Sequence, residues 1–583
     1  MNKHAIHHIS DLPYAYPKDE NTLVVRIRCA RGDMERVSVV YKDRYDWVNR
    51  GKAKEMELIS ETELFSVYEA ELQVPRNRYR YYFELIDSEG NTIYYDERGF
   101  RFDDAGPNEV RAFQFPYIAP KDLYLGKKTL EEAVVYQIFP DRFYNGDTSN
   151  DPEGTAKWGG IPGRIEMFGG DIKGITQKIP YLKKLGINLI YLTPVFLSSS
   201  NHKYNTKDYY QIDPQFGNVE DARELVSKCH DNGIKIVFDA VFNHTGSDFF
   251  AFKDLLKNQE DSEYKNWYHP DSFPVLTITS NYYTFADRIY TMPKLRTENE
   301  AVREYFFEVG RYWIREIGID GWRLDVCDEV DHSFWQGFKK AIEEVNPEAI
   351  LIGEIMHESS AFLKGNELDS IMNYPFKNAM TEYFAKRIMN KTEFMDTLSD
   401  NRNLYTDIIN RQLWNLLDSH DTSRFLTESR GEVARLKLAM AFQFTYIGTP
   451  YIYYGDEIGL DGGHDPYCRR CMIWDEEDMD LDLLDHVKNL ISFRKSSEAL
   501  KYGKFRELSK DSFCIVTERT FGAESIISVF NNSDYDREIL LPEGEYTEVT
   551  PSGIYKTAGK EVKKQQIPLK PMTYRIFRSI NND

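Results

Sequence analysis

The sequence predicts a mixed α/β chain: a (β/α)8 TIM barrel carrying an inserted domain, with an all-β domain on either side. Three observations carry this prediction. Eight short apolar runs alternate with helical stretches between residues 134 and 457; a regular strand–helix repeat is the pattern of a parallel sheet with crossover helices. Residues before about 121 and after about 503 show period-two alternation instead, as antiparallel strands do. One interval between runs, from Asp239 to Asp325, spans 86 residues, far more than one repeat uses.

Residues 1–121 contain ELFSVYEAEL (63–72) and RYRYYFELIDSEGNTIYY (78–95), with Ser88-Glu89-Gly90-Asn91 as a turn. They read as an N-terminal β-sandwich. A polar stretch, APKDLYLGKKT (119–129), leads into the barrel, expected over 122–502. Its runs are VVYQIF (134–139), NLIYLTPV (188–195), KIVFDAVF (235–242), GWRLDV (321–326), AILIGEI (349–355), DSIMNY (369–374), LWNLLDSH (413–420) and TPYIYYGDE (449–457). The helical stretches at 171–186, 219–233 and 299–318 reach Gly186, Gly233 and Gly318, where left-handed C-caps belong. The excess after the third run, about 243–298, is the expected inserted domain. Residues 503–583, with SFCIVTER, SIISVFN and TYRIFR, read as a C-terminal β domain.

With 583 residues, 41% hydrophobic and 29% charged, the composition is that of a soluble multidomain protein. The net charge of −21 repels phosphate backbones, so no nucleic-acid partner is expected. No run approaches the roughly 18–20 apolar residues of a membrane span, and the first twenty residues hold no apolar signal core. The six cysteines are scattered, which fits reduced thiols and a cytoplasmic location. Cys468 and Cys471 form a CxxC, but no second pair stands nearby to complete a zinc site.

Barrel chemistry sits at the C-terminal strand ends. Those ends carry Asp239, Asn243 and His244; Arg323 and Asp325; Glu354; and Asp418, His420 and Asp421. Arg323 and Asp325 are two apart and share a strand face; the adjacent cation should keep Asp325 ionised. Glu354 follows an apolar run, which should raise its pKa. Asp325 to Glu354 is 29 residues, about one repeat, and Glu354 to Asp421 is 67, about two; these three acids with an arginine and two histidines suit either a divalent metal or glycoside hydrolysis. Only two histidines fall at strand ends, and Arg323 would repel a cation, so glycoside chemistry is the better fit. Singly, each residue also fits a helix cap or a core position; together they do not.

DAVFNH (239–244), GWRLDVCDE (321–329), GEI (353–355) and LLDSHD (416–421) resemble four signature regions of the α-amylase superfamily, glycoside hydrolase family 13. MPKL (292–295) resembles the fifth region of its neopullulanase, cyclomaltodextrinase and maltogenic-amylase branch, and the stretches at 202–217 and 462–475 agree. The resemblance implies Asp325 as nucleophile, Glu354 as acid/base and Asp421 as transition-state stabiliser. It implies sugar contacts for Tyr204, His244, Arg323, His420, Asp465 and Arg469. It implies a retaining enzyme, an N-terminal starch-binding-type domain that often builds a homodimer, and α-glucan oligosaccharides and cyclodextrins as partners.

The loop NGDTSND (145–151) gathers Asn145, Asp147, Asn150 and Asp151. Closely spaced hard oxygens suit Ca2+, and an Asx-rich turn needs no ion. The resemblance adds Gly169 and Asp171 and implies a structural calcium. Four positions depart from the branch: Met356 stands where a Trp is usual, Cys327-Asp328 where Ala-Asn is usual, and Arg296 where Asn is usual. The expected function is cleavage of α-1,4 bonds in cyclomaltodextrins, maltooligosaccharides and pullulan, with α-1,6 cleavage and glycosyl transfer left open. The alternatives are an α-glucosidase or transglycosylase on the same barrel, and a non-catalytic carbohydrate-binding protein.

Overall fold

The computed structural model describes the chain apart from residues 105, 109, 288, 510–512, 543, 551–560, 563–565 and 580–583, and without the side chains of 561 and 562. Part of the expected C-terminal β domain therefore lies outside the described residues. The chain divides into two compact units. One holds Met1–Gly126, Met389–Asn410 and Arg506–Ser512; the other holds Lys127–Ile388, Arg411–Phe505 and Phe513–Asp583.

In the first unit, Ala15–Asp19, Thr22–Ala30, Phe65–Leu72 and Glu57–Glu61 form one antiparallel sheet. Lys52–Glu55, Met34–Asp43, Tyr79–Asp87, Thr92–Asp96 and Gly99–Arg101 form a second, with Phe113–Phe115 paired to Tyr79–Asp87. Inward residues of both sheets, among them Leu23, Val25, Ile27, Val37, Val39, Phe83 and Leu85, make one core. A helix from the middle of the sequence, Lys391–Asn403, belongs to the same unit. Glu63 N–H donates to Asp396 at 2.7 Å, and buried Arg26 donates to Tyr405 O at 2.8 Å.

The second unit holds the barrel. Its strands are β1 (Val135–Ile138), β2 (Leu189–Leu192), β3 (Lys235–Ala240), β4 (Gly321–Leu324), β5 (Ile350–Gly353), β6 (Ser370–Ile371), β7 (Trp414–Asn415) and β8 (Thr449–Tyr453). Each falls inside one of the eight apolar runs. The spatial order runs β6-β5-β4-β3-β2-β1-β8-β7, all parallel, and a Met372–Trp414 bridge joins the two ends. The strands are shorter than their apolar runs because the chain leaves the ladder to build the mouth.

Helices α1 (Ile172–Leu185) and α2 (Val219–Asp231) start on the side-chain caps Asp171 and Asn218. Gly186 closes α1 at φ 101°. On α2 the cap is Asn232, and Gly233 takes the left-handed turn one residue later. Helix α3 (Glu300–Tyr312) ends in a π turn over Trp313–Ile317 before Gly318 at φ 86°. Trp313 is buried there and donates to Tyr209 O at 2.7 Å. Among the described residues, the segment between β3 and α3 holds the helix Phe250–Asn258 and short 3-10 helices at Gln259–Asp261 and Lys265–Trp267, with bridges such as His244–Lys294 tying it to the end of β3.

Candidate active site

Register places the acids. Asp239 on β3 pairs with Arg323 on β4, and Arg323 pairs with Ile352 on β5. The ladder continues through Asp325 N–H to Ala240 O at 3.1 Å and Glu354 N–H to Leu324 O at 2.9 Å. Asp325 and Glu354 each lie two residues beyond a registered pair. Their carboxyls therefore emerge at one level, on one face, of neighbouring strands.

Arg323 is fully buried and touches three carboxylates. Its Nη1 donates to Asp325 Oδ1 at 2.7 Å and to both Asp239 oxygens at 3.1 Å, and its Nη2 lies 2.9 Å from Glu354 Oε1, at ion-pair distance but off the hydrogen-bond line. This corrects the expectation that Arg323 keeps Asp325 simply ionised. Burial pushes Asp325 well above the usual carboxylate range, Arg323 opposes that, and Glu354 and Asp239 add to it. Burial also raises Glu354, against Arg323, and raises Asp239 to about 6. One guanidinium shared among three acids cannot hold all of them charged. Glu354 raises Asp325 while sharing its guanidinium, so the two titrate as a pair in which one proton stays behind.

The residue between them is strained. Val326 sits at φ 45°, ψ 44°, a left-handed conformation that costs a β-branched residue about 1–2 kcal/mol. That turn points its N–H at Glu354 Oε2, 3.0 Å away, and so orients the acid.

Asp421 lies across the mouth, on the turn after β7. Its Oδ1 is 3.2 Å from Arg469 Nη2, and its Oδ2 is 3.1 Å from His420 Nε2. Arg469 also donates to His420 O at 2.8 Å and pairs with half-exposed Asp465 at 2.9 Å. Tyr204 lies parallel to His420, with ring centroids 5.6 Å apart and planes 4° apart. His244 stacks on Phe285, and its Nε2 lies 3.1 Å from Tyr204 O. Burial lowers its pKa to about 3, so it is neutral. The structure thus gathers Asp325, Glu354, Arg323, Asp421, His420, Tyr204 and Arg469, with His244 behind Tyr204 and Asp465 outside, reached through Arg469. Asp418 turns away and accepts Phe425 N–H, the first of the short helix Phe425–Glu428, at 2.6 Å. Sequence reasoning gave no role to Gln137, Tyr191 or Tyr451, all buried on the barrel strands; the lone amide in VVYQIF was the available signal.

The expected calcium loop is also assembled. Asp171 caps α1 and accepts Gly146 and Asp147 N–H at 3.2 and 2.8 Å. Asn145 Nδ2 donates to Asp151 Oδ1 at 2.8 Å. The side-chain oxygens of Asn145 and Asn150 are buried and have no hydrogen-bond partner. A Cβ on Gly169, at φ 80°, would lie 2.4 Å from Asp151 Oδ1, so only glycine fits against this cradle. Partnerless amide oxygens beside carboxylates fit a hard cation. The Asp147 carboxylate is instead bound to Lys173 at 2.6 Å and to Ser149, which leaves its backbone carbonyl as the available donor. Among the described residues no group of three or more His, Cys, Asp or Glu could hold a metal; the donor set here depends on amide and backbone oxygens.

The four departures lie close by. Met356 is half-exposed beyond Glu354. Cys327 is buried with its Sγ 3.5 Å from Glu354 O. Asp328 pairs with His357 at 2.9 Å, joining the loops after β4 and β5. Arg296 donates to Tyr268 O at 3.3 Å.

Comparison with known proteins bears on all of this. A family model described as the alpha amylase catalytic domain matches residues 137–503, and one for the alpha amylase N-terminal ig-like domain matches residues 1–119. A cyclomaltodextrinase of Thermoanaerobacter pseudethanolicus is 49% identical over 546 residues, covering 94% of this chain and 95% of the relative. Neopullulanase 2 of Thermoactinomyces vulgaris is 43% identical, covering 99% and 98%. A solved cyclomaltodextrinase structure superposes with a TM-score of 0.94 at 39% identity, covering all of both chains. Among the described residues no helix is long and apolar enough to cross a membrane.

Proposed function

The chain belongs to the α-amylase family of glycoside hydrolases, and on that premise we propose that it cleaves α-1,4-glucosidic bonds in cyclomaltodextrins, maltooligosaccharides and pullulan with retention of configuration. The names of its relatives supply the substrates. The observation that carries the mechanism is the level pairing of Asp325 and Glu354 on neighbouring strands, with Arg323 against both. Two carboxyls emerging at one level of adjacent strands, with one guanidinium against both, suit a nucleophile and an acid that work through a covalent intermediate.

In this reading the Asp325 carboxylate attacks the anomeric carbon while Glu354 gives its proton to the departing glycosidic oxygen. A sugar in the site separates the two carboxyls, and the shared proton goes to Glu354. Arg323 then has Asp325 as its close partner and stabilises the anion. Water, deprotonated by Glu354, next attacks the anomeric carbon and releases Asp325. Asp421 stabilises the cationic transition state. His420 and His244 contact the hydroxyls of the reacting sugar, Tyr204 stacks under it, and Asp465 and Arg469 bind further along the glucan. A structural Ca2+ on Asn145, Asn150, Asp151, Asp171 and the carbonyls of Asp147 and Gly169 would neutralise the cradle. A homodimer through the N-terminal domain and a cytoplasmic location belong to the same proposal; six free, buried cysteines support the latter.

Product analysis on γ-cyclodextrin, pullulan and soluble starch, with Glu354→Gln as control, tests the reading. Ring opening to maltose, panose from pullulan and slow attack on starch are expected. Glucose alone, from linear maltooligosaccharides only, would replace it with an α-glucosidase. Met356 in place of an indole weakens stacking on the leaving sugar, so hydrolysis should exceed transfer. More transfer products from the wild type than from Met356→Trp would refute that point.

A further inference from the structure

We infer that Gln137, held by Tyr451, is a positioning residue that fixes His420 as the neutral tautomer protonated at Nε2. The importance of that tautomer for turnover rests on the proposed placement of His420 against the sugar; the tautomer itself does not.

The direction of one hydrogen-bond chain carries the inference. Asp239 Oδ2 lies 2.6 Å from Tyr191 OH and 3.1 Å from Tyr204 OH, and both Asp239 oxygens lie 3.1 Å from Arg323 Nη1. A carboxylate against a guanidinium only accepts, so both tyrosines donate to it. The single proton of Tyr204 is then committed to Asp239. Its oxygen, 2.6 Å from His420 Nε2, must accept there, so Nε2 carries the hydrogen.

Neutral imidazole has one N–H, so Nδ1 presents a lone pair. Opposite it, at 2.6 Å, stands the side-chain amide nitrogen of Gln137. Gln137 Oε1 takes the hydroxyl proton of Tyr451. Flipping the amide would set its oxygen against the lone pair and its NH2 against a hydroxyl whose acceptor it had been. Every donor from β8 through β1 to β3 therefore points the same way, and the acid at the end sets the polarity.

The ring's surroundings agree. His420 and Gln137 are both fully buried. Burial lowers the His420 pKa well below its usual value, and Arg469, Arg323 and His202 lower it further. Asp421 Oδ2, at 3.1 Å, is the carboxylate beside it. With Nδ1 occupied by Gln137, the Nε2–H given to Tyr204 is the one proton on the ring, and Asp421 Oδ2 or a sugar hydroxyl can only share it. A neutral donor locked in one direction needs no reorganisation when the sugar binds.

Nitrogen NMR of the full-length protein labelled with [15N]histidine tests this, with His420→Asn assigning the signals. In the wild type, Nε2 of His420 should give an N–H signal and Nδ1 a lone-pair signal. Gln137→Glu should move the proton to Nδ1 or charge the ring. Its kcat should fall about ten- to a hundred-fold, less than when a donor is removed outright, with KM little changed and the pH profile displaced. Gln137→Leu removes the donor to Nδ1 but leaves Tyr204 and Asp239, so it should shift the tautomer less than Gln137→Glu. If the Gln137 variants do not fold, Tyr451→Phe should give a smaller shift. A wild-type ring protonated at Nδ1 would overturn the inference. So would an unaltered tautomer and pH profile in every variant that folds. An inactive wild type with the Nε2–H tautomer would refute the proposed function instead and leave this assignment standing.

Discussion

Glu354 shows how much of this site is set by its surroundings. Its carboxyl is raised by burial, opposed by Arg323, and held on Oε2 by the N–H of a strained Val326. A general acid works only while protonated, so kcat/KM should fall as pH rises through the raised pKa. The basic limb should lie above the usual glutamate range, and the pH profile measured on maltotriose checks this; a limb at an ordinary glutamate value would contradict it. Glu354→Gln should lower kcat/KM by about 10²–10⁴ on natural substrates and far less on maltosyl fluoride, whose leaving group needs no proton. The sequence placed Asp325, Glu354 and Asp421 through spacing alone. It could not reveal that Arg323 is shared by three acids, because that depends on the β3–β4–β5 register.

At the scale of the element, two devices deserve separate tests. The 145–171 cradle holds two buried amide oxygens without partners. Such oxygens cost about 1–3 kcal/mol each when unpaired, so a bound cation should stabilise the loop. Chelation is expected to lower Tm by several degrees, with calcium restoring it and magnesium doing so less; a Tm indifferent to chelator would remove calcium from the account. Elsewhere, Arg519, on the strand Cys514–Phe521, is fully buried and donates to Tyr446 O at 2.8 Å and Gly503 O at 2.9 Å. Both carbonyls lie at helix C-termini, whose partial negative charge suits a cation. Arg494 donates to Leu500 O, in the last turn of the helix Glu498–Tyr502, at 2.8 Å and to Gly448 O, just before β8, at 2.7 Å. Arg519→Met should cost about 1–3 kcal/mol per orphaned carbonyl, measured by denaturant unfolding, with kcat/KM nearly unchanged at permissive temperature.

Over the whole molecule, chain order and compact units do not coincide. Residues 389–410 stand between β6 and β7 in sequence but group with the N-terminal sandwich. Phe394, Met395 and Leu398 are buried there, and Arg26 holds Asp407 at 2.8 Å. Deleting residues 1–121 would strip this segment of its packing. The truncated chain should be less soluble and melt below the full chain by scanning calorimetry; an unchanged Tm would show that the helix needs no sandwich.

The sequence by itself determined the (β/α)8 repeat, its eight strands and the three acids at their ends. These are local properties: an apolar run must be buried, and a carboxylate ending one stands at the barrel mouth. It did not determine strand length, the home of 389–410, the charge of Asp325, or the part played by Gln137. Those depend on which side chains register brings within hydrogen-bond distance and how many acids one buried guanidinium must serve. Such terms arise between residues far apart in the chain, where desolvation and charge act together, and only the folded arrangement sets their sum.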